Sequence, residues 1–532
     1  MYYVIGSGLA GVMCAHGLLE EGASVALIDV GVECEEDRLD AVRRLSLSDP
    51  EGWDPSLVES IKGDFLSSRS RLAFKPVYGS DFPYATSELE KVAQNGTKCL
   101  LSHAKGGLSN VWGAAVLPNR AEDFEGWPIR LKDLERSYEA VARVMKIAGR
   151  SDDLEEFFPY YAPTIPAAGL SSQARTILQN LGKNKNSLAS SGIHFGQSRL
   201  AVRTIPDENG RACENVGLCL SGCPYSAVFN ASHALAALLK NPKFEYLPGL
   251  AAENIEELSD GEVRISCRSV QSGGDRVFSA NRVFVACGVL ATTKLILKSL
   301  NASNVELNMK YQPYCLVPFI LFKNHADAAV ERLHTLTQVF IDIFDPRISR
   351  HAVHLQLYTY NEFFTRRLRQ VLRGLPFFQS AVEAQLTGRL AAVQGYLHSD
   401  EAAGISVKGR ADARGDIDLE LTAKVGFAAK KTFGKMILKL IANSWRIGAL
   451  PLIPLIELGR PGEGNHIGAV FPMKENPGDW ESDALGRVGR FKRIHVVDAS
   501  VLTTLPATTI SYTSMANAHR IAVRAAREDV SA

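Results

Sequence analysis

The chain has 532 residues, 46% hydrophobic and 22% charged, which is the balance of an ordinary globular protein with room for several domain-sized units. Its 59 basic and 58 acidic residues leave a formal charge of +1, which gives no electrostatic ground for a nucleic-acid partner. Nine thinly spread cysteines argue against a secreted disulfide framework, and no signal peptide or long unbroken apolar run is visible, so a cytoplasmic location is expected.

The apolar run from Tyr2 to Ile5 predicts a strand, Gly6-Ser7-Gly8-Leu9-Ala10-Gly11 a tight turn, and the residues after it a helix. A second strand follows in SVALIDV, which contains Asp29. In such a unit Gly6 permits the turn, Gly8 lets the backbone approach a pyrophosphate, and Gly11 lets helix and strand pack closely. The helix N-terminus then faces the phosphates. Asp29 follows the glycines at the separation where an acid accepts from a ribose hydroxyl. These residues predict a dinucleotide site and leave FAD and NAD open.

Residues 40–95 show no clear period. KGGLSNVWGAAVLPN, at 105–119, is a glycine-rich loop around Trp112, and EGWPIRLKDLERSYEAVARVMKIAG predicts a helix started by Pro128. Residues 151–200 read as a polar connection. Strand-like FEYLPGL, EVRISCRSV and RVFSANRVFVACG precede the helical VLATTKLILKSL. From 311 to 425 the runs CLVPFILFK, TQVFIDIF, HAVHLQLYTY and GDIDLEL form a β-rich block. A helical insert with Arg366, Arg367, Arg369 and Arg373 beside Phe363, Phe364, Phe377 and Phe378 interrupts it. That insert reads as a membrane-surface element or as a solvated helix face. Helical pattern returns at 426–447, and the chain closes on strand RIHVVDAS, loop VLTTLPATT and helix SYTSMANAHRIAVRAA. His233 and His519 fall in helical patterns and read as surface or packing residues.

A strand–turn–helix unit thus opens the chain and another closes it, with a β-rich block between. The expected fold class is α/β: a Rossmann-type nucleotide-binding domain assembled from distant segments, with an inserted β-sheet-rich (α+β) substrate domain. The boundaries fall at 1–310 and 460–532 for the discontinuous domain and 311–459 for the substrate domain, with 40–95 and 151–200 contributing to the second.

In this order the segments resemble the glucose–methanol–choline (GMC) oxidoreductases, FAD enzymes that oxidise alcohols. VIGSGLAG…ALIDVG is similar to the ADP-binding start, although that family more often has Glu where Asp29 stands. GGLSNVWGAAV looks like the flavin loop, GWPIRLKDLERSYEAV like the Gly-Trp-Pro segment, and VFVACGVLATTKLIL like the strand–Gly–helix beside the adenosine end of FAD. HVVDASVLTTLPATTISYTSMANAHRIA is similar to the C-terminal signature. The resemblance implies flavin contacts at Gly106, Gly107, Ser109, Asn110, Trp112, Gly288, Asp498 and Ala499, besides Gly6, Gly8, Gly11 and Asp29. Val111 stands where some members carry a histidine bonded to the flavin, which implies noncovalent FAD.

The stretch GEGNHIGAVFPM, at 462–473, holds a lone histidine, which by itself reads more readily as structural than as catalytic. The resemblance makes His466 the expected base: the hydroxyl proton must leave as hydride passes to flavin N5, and neutral imidazole suits that task. The spacing departs from the family pattern, and a strict register would put Asn465 at that position. Thr509 falls where the family has a second His or Asn; it can hydrogen-bond but cannot act as a base. The expected partners are an alcohol, sugar-like or glycan-like among others, and oxygen, a quinone or a protein as electron acceptor. A flavin-dependent lyase or isomerase is the alternative outside net oxidation.

Cys213, Cys219 and Cys223 lie close together in CENVGLCLSGCPYSAVFNA. They read as ordinary reduced thiols, or as ligands of an iron–sulfur cluster that relays electrons from the flavin, as in GMC-type sugar dehydrogenase subunits.

Overall fold

In the computed structural model the strand Tyr2–Ile5 lies at the centre of a five-stranded sheet, ordered Ile494–Val496, Arg282–Val285, Tyr2–Ile5, Val25–Ile28, Phe244–Leu247. All neighbours are parallel, with Tyr2 opposite both Val25 and Arg282. The structure describes residues 1–63, 75–84, 92–362, 385–411 and 416–531; the Arg- and Phe-rich insert lies outside them. Parallel strands covered on both faces read as continuous apolar runs, and VALI and RVFV are buried throughout. The α/β class is therefore observed, with the Rossmann sheet gathered from four distant parts of the chain.

The helix Leu9–Glu20 crosses the long C-terminal helix Ser511–Ser531. A Cβ on Gly17 would lie 3.0 Å from the His519 carbonyl oxygen, so glycine is what lets the two helices approach. His519 is buried at this crossing, with Nδ1 3.0 Å from Ser137 Oγ and Nε2 2.8 Å from Glu20 Oε2.

The β-rich part builds two further sheets. One runs Ala449–Pro451, Tyr314–Leu321, Leu390–Leu397, Val353–Tyr358, Val339–Ile343, Ile193–Gln197, all antiparallel, with Glu457–Leu458 also paired to Tyr314–Leu321. The other runs Ile467–Gly468, Glu306–Tyr311, Ile405–Ala411, Ile417–Ala423, Val92–Asn95.

Four local expectations change. RVFSANRVFVACG is two strands: Asp275–Ala280 closes an antiparallel sheet with Leu250–Glu257 and Val263–Ser269, while Arg282–Val285 enters the parallel sheet. The hand-over falls at Asn281, whose N–H donates to Met1 O at 3.0 Å. Pro128 does not start its helix; a 3₁₀ turn Leu131–Asp133 intervenes, where Asp133 accepts from the Arg130 N–H at 2.9 Å, and the α-helix is Glu135–Met145. Residues 151–200 are more than a connection. They contain the helix Ser172–Lys183, capped by Ser171 and burying Ala174, Ile177 and Leu181, and a strand of the large sheet. Finally, 40–95 includes the helices Glu36–Ser46 and Pro55–Lys62.

Candidate active site and cofactor cleft

A cavity of about 580 Å³ opens where the carboxyl ends of the parallel strands meet the large antiparallel sheet, within the size range of small-molecule sites. Gly6, Gly8, Asp29, Gly107, Ser109, Trp112, Gly288, Asp498 and Ala499 line it at one end. Gly11, Gly106 and Asn110 support that lining from behind.

The three glycines of the first turn do different work. Gly6 has φ +103°, and a Cβ there would lie 2.4 Å from Ala286 O. At Gly11 it would lie 1.9 Å from Gly6 O. Gly8 has an ordinary φ of −65°, and a Cβ there would meet no protein atom within 4 Å. The fold itself does not require glycine at 8, which leaves open space over the turn. Gly8 also starts the helix Leu9–Glu20 with no side-chain cap, and Gly8, Leu9 and Ala10 line the cavity, so the helix begins at the cleft with its first backbone N–H groups lacking a side-chain acceptor.

Asp29 is buried beside this turn, accepting from Ser7 Oγ at 2.5 Å and Tyr246 Oη at 3.1 Å. Burial raises its pKa to about 6 despite these hydrogen bonds. The glycine-rich loop closes over the turn: Gly106 N–H donates to Ser7 Oγ at 2.9 Å, and a Cβ on Gly107 would sit 3.5 Å from Gly8 Cα. Both loop glycines have positive φ. Ser109 Oγ donates to Gly106 O at 2.6 Å and accepts from the Ala231 N–H at 2.9 Å. Asn110 Nδ2 donates to Lys105 O and Gly107 O at 3.0 and 2.7 Å, and Trp112 Nε1 to Phe229 O at 2.7 Å. Asn230, which the sequence did not single out, ties these together, donating to Asn110 Oδ1 at 2.6 Å while its Oδ1 caps the next helix at the Ser232 N–H. Its only local signal is an Asn before a helical run.

Asp498 ties the C-terminal segment to the start of the mid-chain helix Val289–Ser299. It accepts from the Gly288 N–H at 2.9 Å, Thr292 Oγ1 at 2.5 Å and the Ser500 N–H at 2.9 Å, and burial raises its pKa. The Ala499 carbonyl accepts from the Ala469 N–H at 2.9 Å, which holds the His466 segment against the C-terminal signature. The glycine turn with its uncapped helix, the Asp29 carboxylate and the loop at 106–112 fit a long dinucleotide such as FAD.

His466 lines the other end of the cavity, with Asn465 and Thr509. It precedes the short strand Ile467–Gly468, which pairs with Glu306–Tyr311. That pairing delivers Gln312, whose N–H donates to His466 O at 3.0 Å and whose Oε1 accepts from His466 Nδ1–H at 2.5 Å. Gln312 Nε2 donates to the carbonyls of Pro506 and Thr508, so the amide orientation is fixed, and with it the imidazole tautomer. Nδ1 carries the proton, and Nε2 keeps its lone pair. Burial lowers the His466 pKa to about 4, helped by the nearby His354. Asn465 is more exposed and left-handed (φ +60°). Thr509 is buried, and its Oγ1 accepts from the Leu117 N–H at 3.1 Å.

Sequence reasoning also passed over the wall facing His466. Gln356, Tyr358, Gln394 and Tyr396 line the cavity, with Tyr358 Oη donating to Gln356 at 3.1 Å and Tyr396 Oη to Gln394 at 3.0 Å. Lys75 reaches the same space, and burial lowers its pKa to about 8. None of these has a spacing signal in the sequence; adjacency across strands brings them together.

No family model matches the chain. A solved pyridoxine 4-oxidase from Mesorbium loti superposes with a TM-score of 0.58 at 14% identity, covering 98% of each chain. An FAD-dependent oxidoreductase from Chaetomium thermophilum gives 0.61 at 13%, covering 100% of this chain and 99% of that one. A formate oxidase from Aspergillus oryzae gives 0.62 at 13%, covering 100% and 98%. The fold is that of the GMC oxidoreductases. A curated 6'''-hydroxyparomomycin C oxidase of Streptomyces lividus is 25% identical over 312 residues, 56% of this chain and 49% of that protein. The match therefore spans about half of that relative.

Within the GMC fold, Val111 is buried and lines the cavity as an aliphatic side chain. Cys213, Cys219 and Cys223 are partly buried free thiols outside the cavity lining, and burial raises Cys213 to about 12 and Cys223 upward. Among the described residues, three ligand atoms come within 4.8 Å of one another only at His16/Glu20/His519 and His351/His398/Asp400. The three sulfurs do not come together in this way. The solved relatives give no indication of an iron–sulfur cluster.

Proposed function

We propose that the protein is an FAD-dependent oxidoreductase that oxidises the CH–OH group of an alcohol to a carbonyl. The observation that carries this reading is the His466–Gln312 pair at the far end of a cleft that fits FAD. His466 lines the cavity, and with Nδ1 engaged by Gln312 its Nε2 would be the basic nitrogen. It takes the hydroxyl proton of the substrate; bound flavin supplies the acceptor for the hydride. Gln312 stabilises the imidazolium that forms, because its carbonyl oxygen already accepts from Nδ1–H. A pKa near 4 keeps His466 in its basic form across the physiological range, so no activating deprotonation is needed.

Asn465 and the Thr509 hydroxyl, which line the same cavity, would orient the substrate oxygen. Val111 offers no nucleophile for attachment, so the flavin is held noncovalently. Oxygen is the acceptor that the oxidase relatives suggest, and the pyridoxine, formate and hydroxyparomomycin oxidases support a small polar substrate. The polar wall of Gln356, Tyr358, Gln394 and Tyr396 suits a hydroxyl-rich one.

The test is anaerobic mixing of holoprotein with a panel of alcohols while flavin absorbance is followed. Bleaching by at least one alcohol, slowed about 100-fold or more in His466→Ala with flavin still bound, is expected from loss of a general base. Product formation without net bleaching would overturn the redox reading in favour of a lyase or isomerase. Equal bleaching in His466→Ala, with its loss in Asn465→Ala, would move the base one residue back.

A further inference from the structure

We infer that the protein docks on an anionic lipid surface through the edge of its large antiparallel sheet. Eight of the 17 large apolar side chains exposed among the described residues fall between 425 and 458, a small fraction of the chain. They are not scattered. Leu450 sits opposite Ile320 in the edge pairing, and Leu458 opposite Cys315. The turn Ile453–Leu455 between them exposes both Ile453 and Leu455. Trp445, 86% exposed, meets the exposed Phe322 ring at 4.7 Å, where the neighbouring strand ends. These exposed apolar side chains thus lie on segments paired with or adjoining Tyr314–Leu321, the strand whose residues Tyr314 and Leu316 line the cavity.

Charge identifies the occupant. From 424 to 456 the sequence has Lys424, Lys430, Lys431, Lys435, Lys439 and Arg446 and no Asp or Glu, in a chain that is otherwise almost balanced. Lys439 is taken by Asp345. Lys430, Lys431, Lys435 and Arg446 have no carboxylate partner among the described residues. Exposed Trp and aliphatic side chains in a segment, 424–458, with six Lys or Arg and a single acid, Glu457, match the boundary of an anionic bilayer, where indole sits at headgroup depth and the cations meet lipid phosphates. A second copy of the chain would bring the same cations face to face. No described helix is long and apolar enough to cross a membrane, so the contact is peripheral.

The test is co-sedimentation of the holoprotein with vesicles of phosphatidylcholine alone or mixed with phosphatidylserine. Binding to the mixed vesicles is expected to exceed binding to phosphatidylcholine at least tenfold and to fall in high salt as charges are screened. Trp445→Ser and the pair Lys430→Glu/Lys431→Glu should each weaken it about tenfold, with flavin content and melting temperature unchanged. The inference is overturned if mixed vesicles do not retain the protein or if both variants bind like the parent. It is equally overturned if light scattering finds a dimer that Trp445→Ser dissociates while vesicles bind nothing.

Discussion

Replacing Gly8 and Gly11 separately by alanine should divide the glycine turn into a ligand-facing and a fold-facing half. At Gly11 the new methyl carbon would start 1.9 Å from Gly6 O, a backbone atom, so strand and helix must separate. Overpacking of this kind costs about 1–3 kcal/mol, or about one to three degrees of melting temperature in a chain of this length. At Gly8 the backbone is already in a region open to any residue, and the methyl group meets no protein atom within 4 Å. Glycine is preferred to alanine at a helix N-cap, so the exchange costs about 0.5–1 kcal/mol of helix stability, which is under about one degree of melting temperature in a chain of this length. The methyl group instead occupies the space where a pyrophosphate must approach, and a tenfold weaker flavin affinity corresponds to about 1.4 kcal/mol. The assay is melting of the apoprotein together with flavin titration by fluorescence quenching. Gly8→Ala should melt within about one degree of the parent and bind flavin at least tenfold more weakly, whereas Gly11→Ala should lose stability first. A Gly8→Ala protein that keeps parental flavin affinity would refute the assignment of this turn to the cofactor.

The other expectations concern the base, the attachment of the flavin and acid stability. Gln312→Leu removes the acceptor of His466 Nδ1–H and leaves two backbone carbonyls without a donor. Flavin reduction should slow about 10- to 100-fold with little change in KM, and histidine-selective nitrogen NMR should find the Nδ1–H tautomer lost. Acid precipitation should release the flavin into the supernatant, because Val111 cannot hold it covalently; flavin in the pellet would contradict this. His334 and His495 are buried with pKa values lowered to about 4 and about 3, so the unfolded chain takes up protons below about pH 6.5 that the folded one does not. Stability is full above that pH and falls as pH drops toward 4, by at most about 1.4 kcal/mol per pH unit per group. Asp29, raised to about 6, works in the opposite direction between about 6 and 4. Melting temperatures of the apoprotein at pH 7 and 5 measure the net effect, which should be a loss at pH 5.

Much of the fold was legible because its signals are local. A glycine turn between an apolar strand and a helix is written in consecutive residues, as is the alternation of the antiparallel strands, and their order along the chain implied one sheet built from distant parts. The misreadings also have local causes. RVFSANRVFVACG looks like one strand because both halves are apolar, and only the Asn281–Met1 hydrogen bond separates them. The helix Ser172–Lys183 hides a narrow buried stripe under a polar surface.

The sequence by itself determined the α/β class and the strand, glycine turn and helix at Gly6–Gly11, and it placed one histidine, His466, in the segment before the C-terminal signature. Tertiary structure alone decided that Gly6 and Gly11 serve the fold while Gly8 faces open space in the cleft, because that distinction depends on Ala286, some 280 residues away from Gly6 in the chain, and on the room left around Gly8. It also decided the state of His466. Gln312 lies 154 residues from it in sequence, and no spacing rule connects the two. They meet because Glu306–Tyr311 pairs with Ile467–Gly468, and that pairing leaves one imidazole nitrogen proton-bearing and the other free.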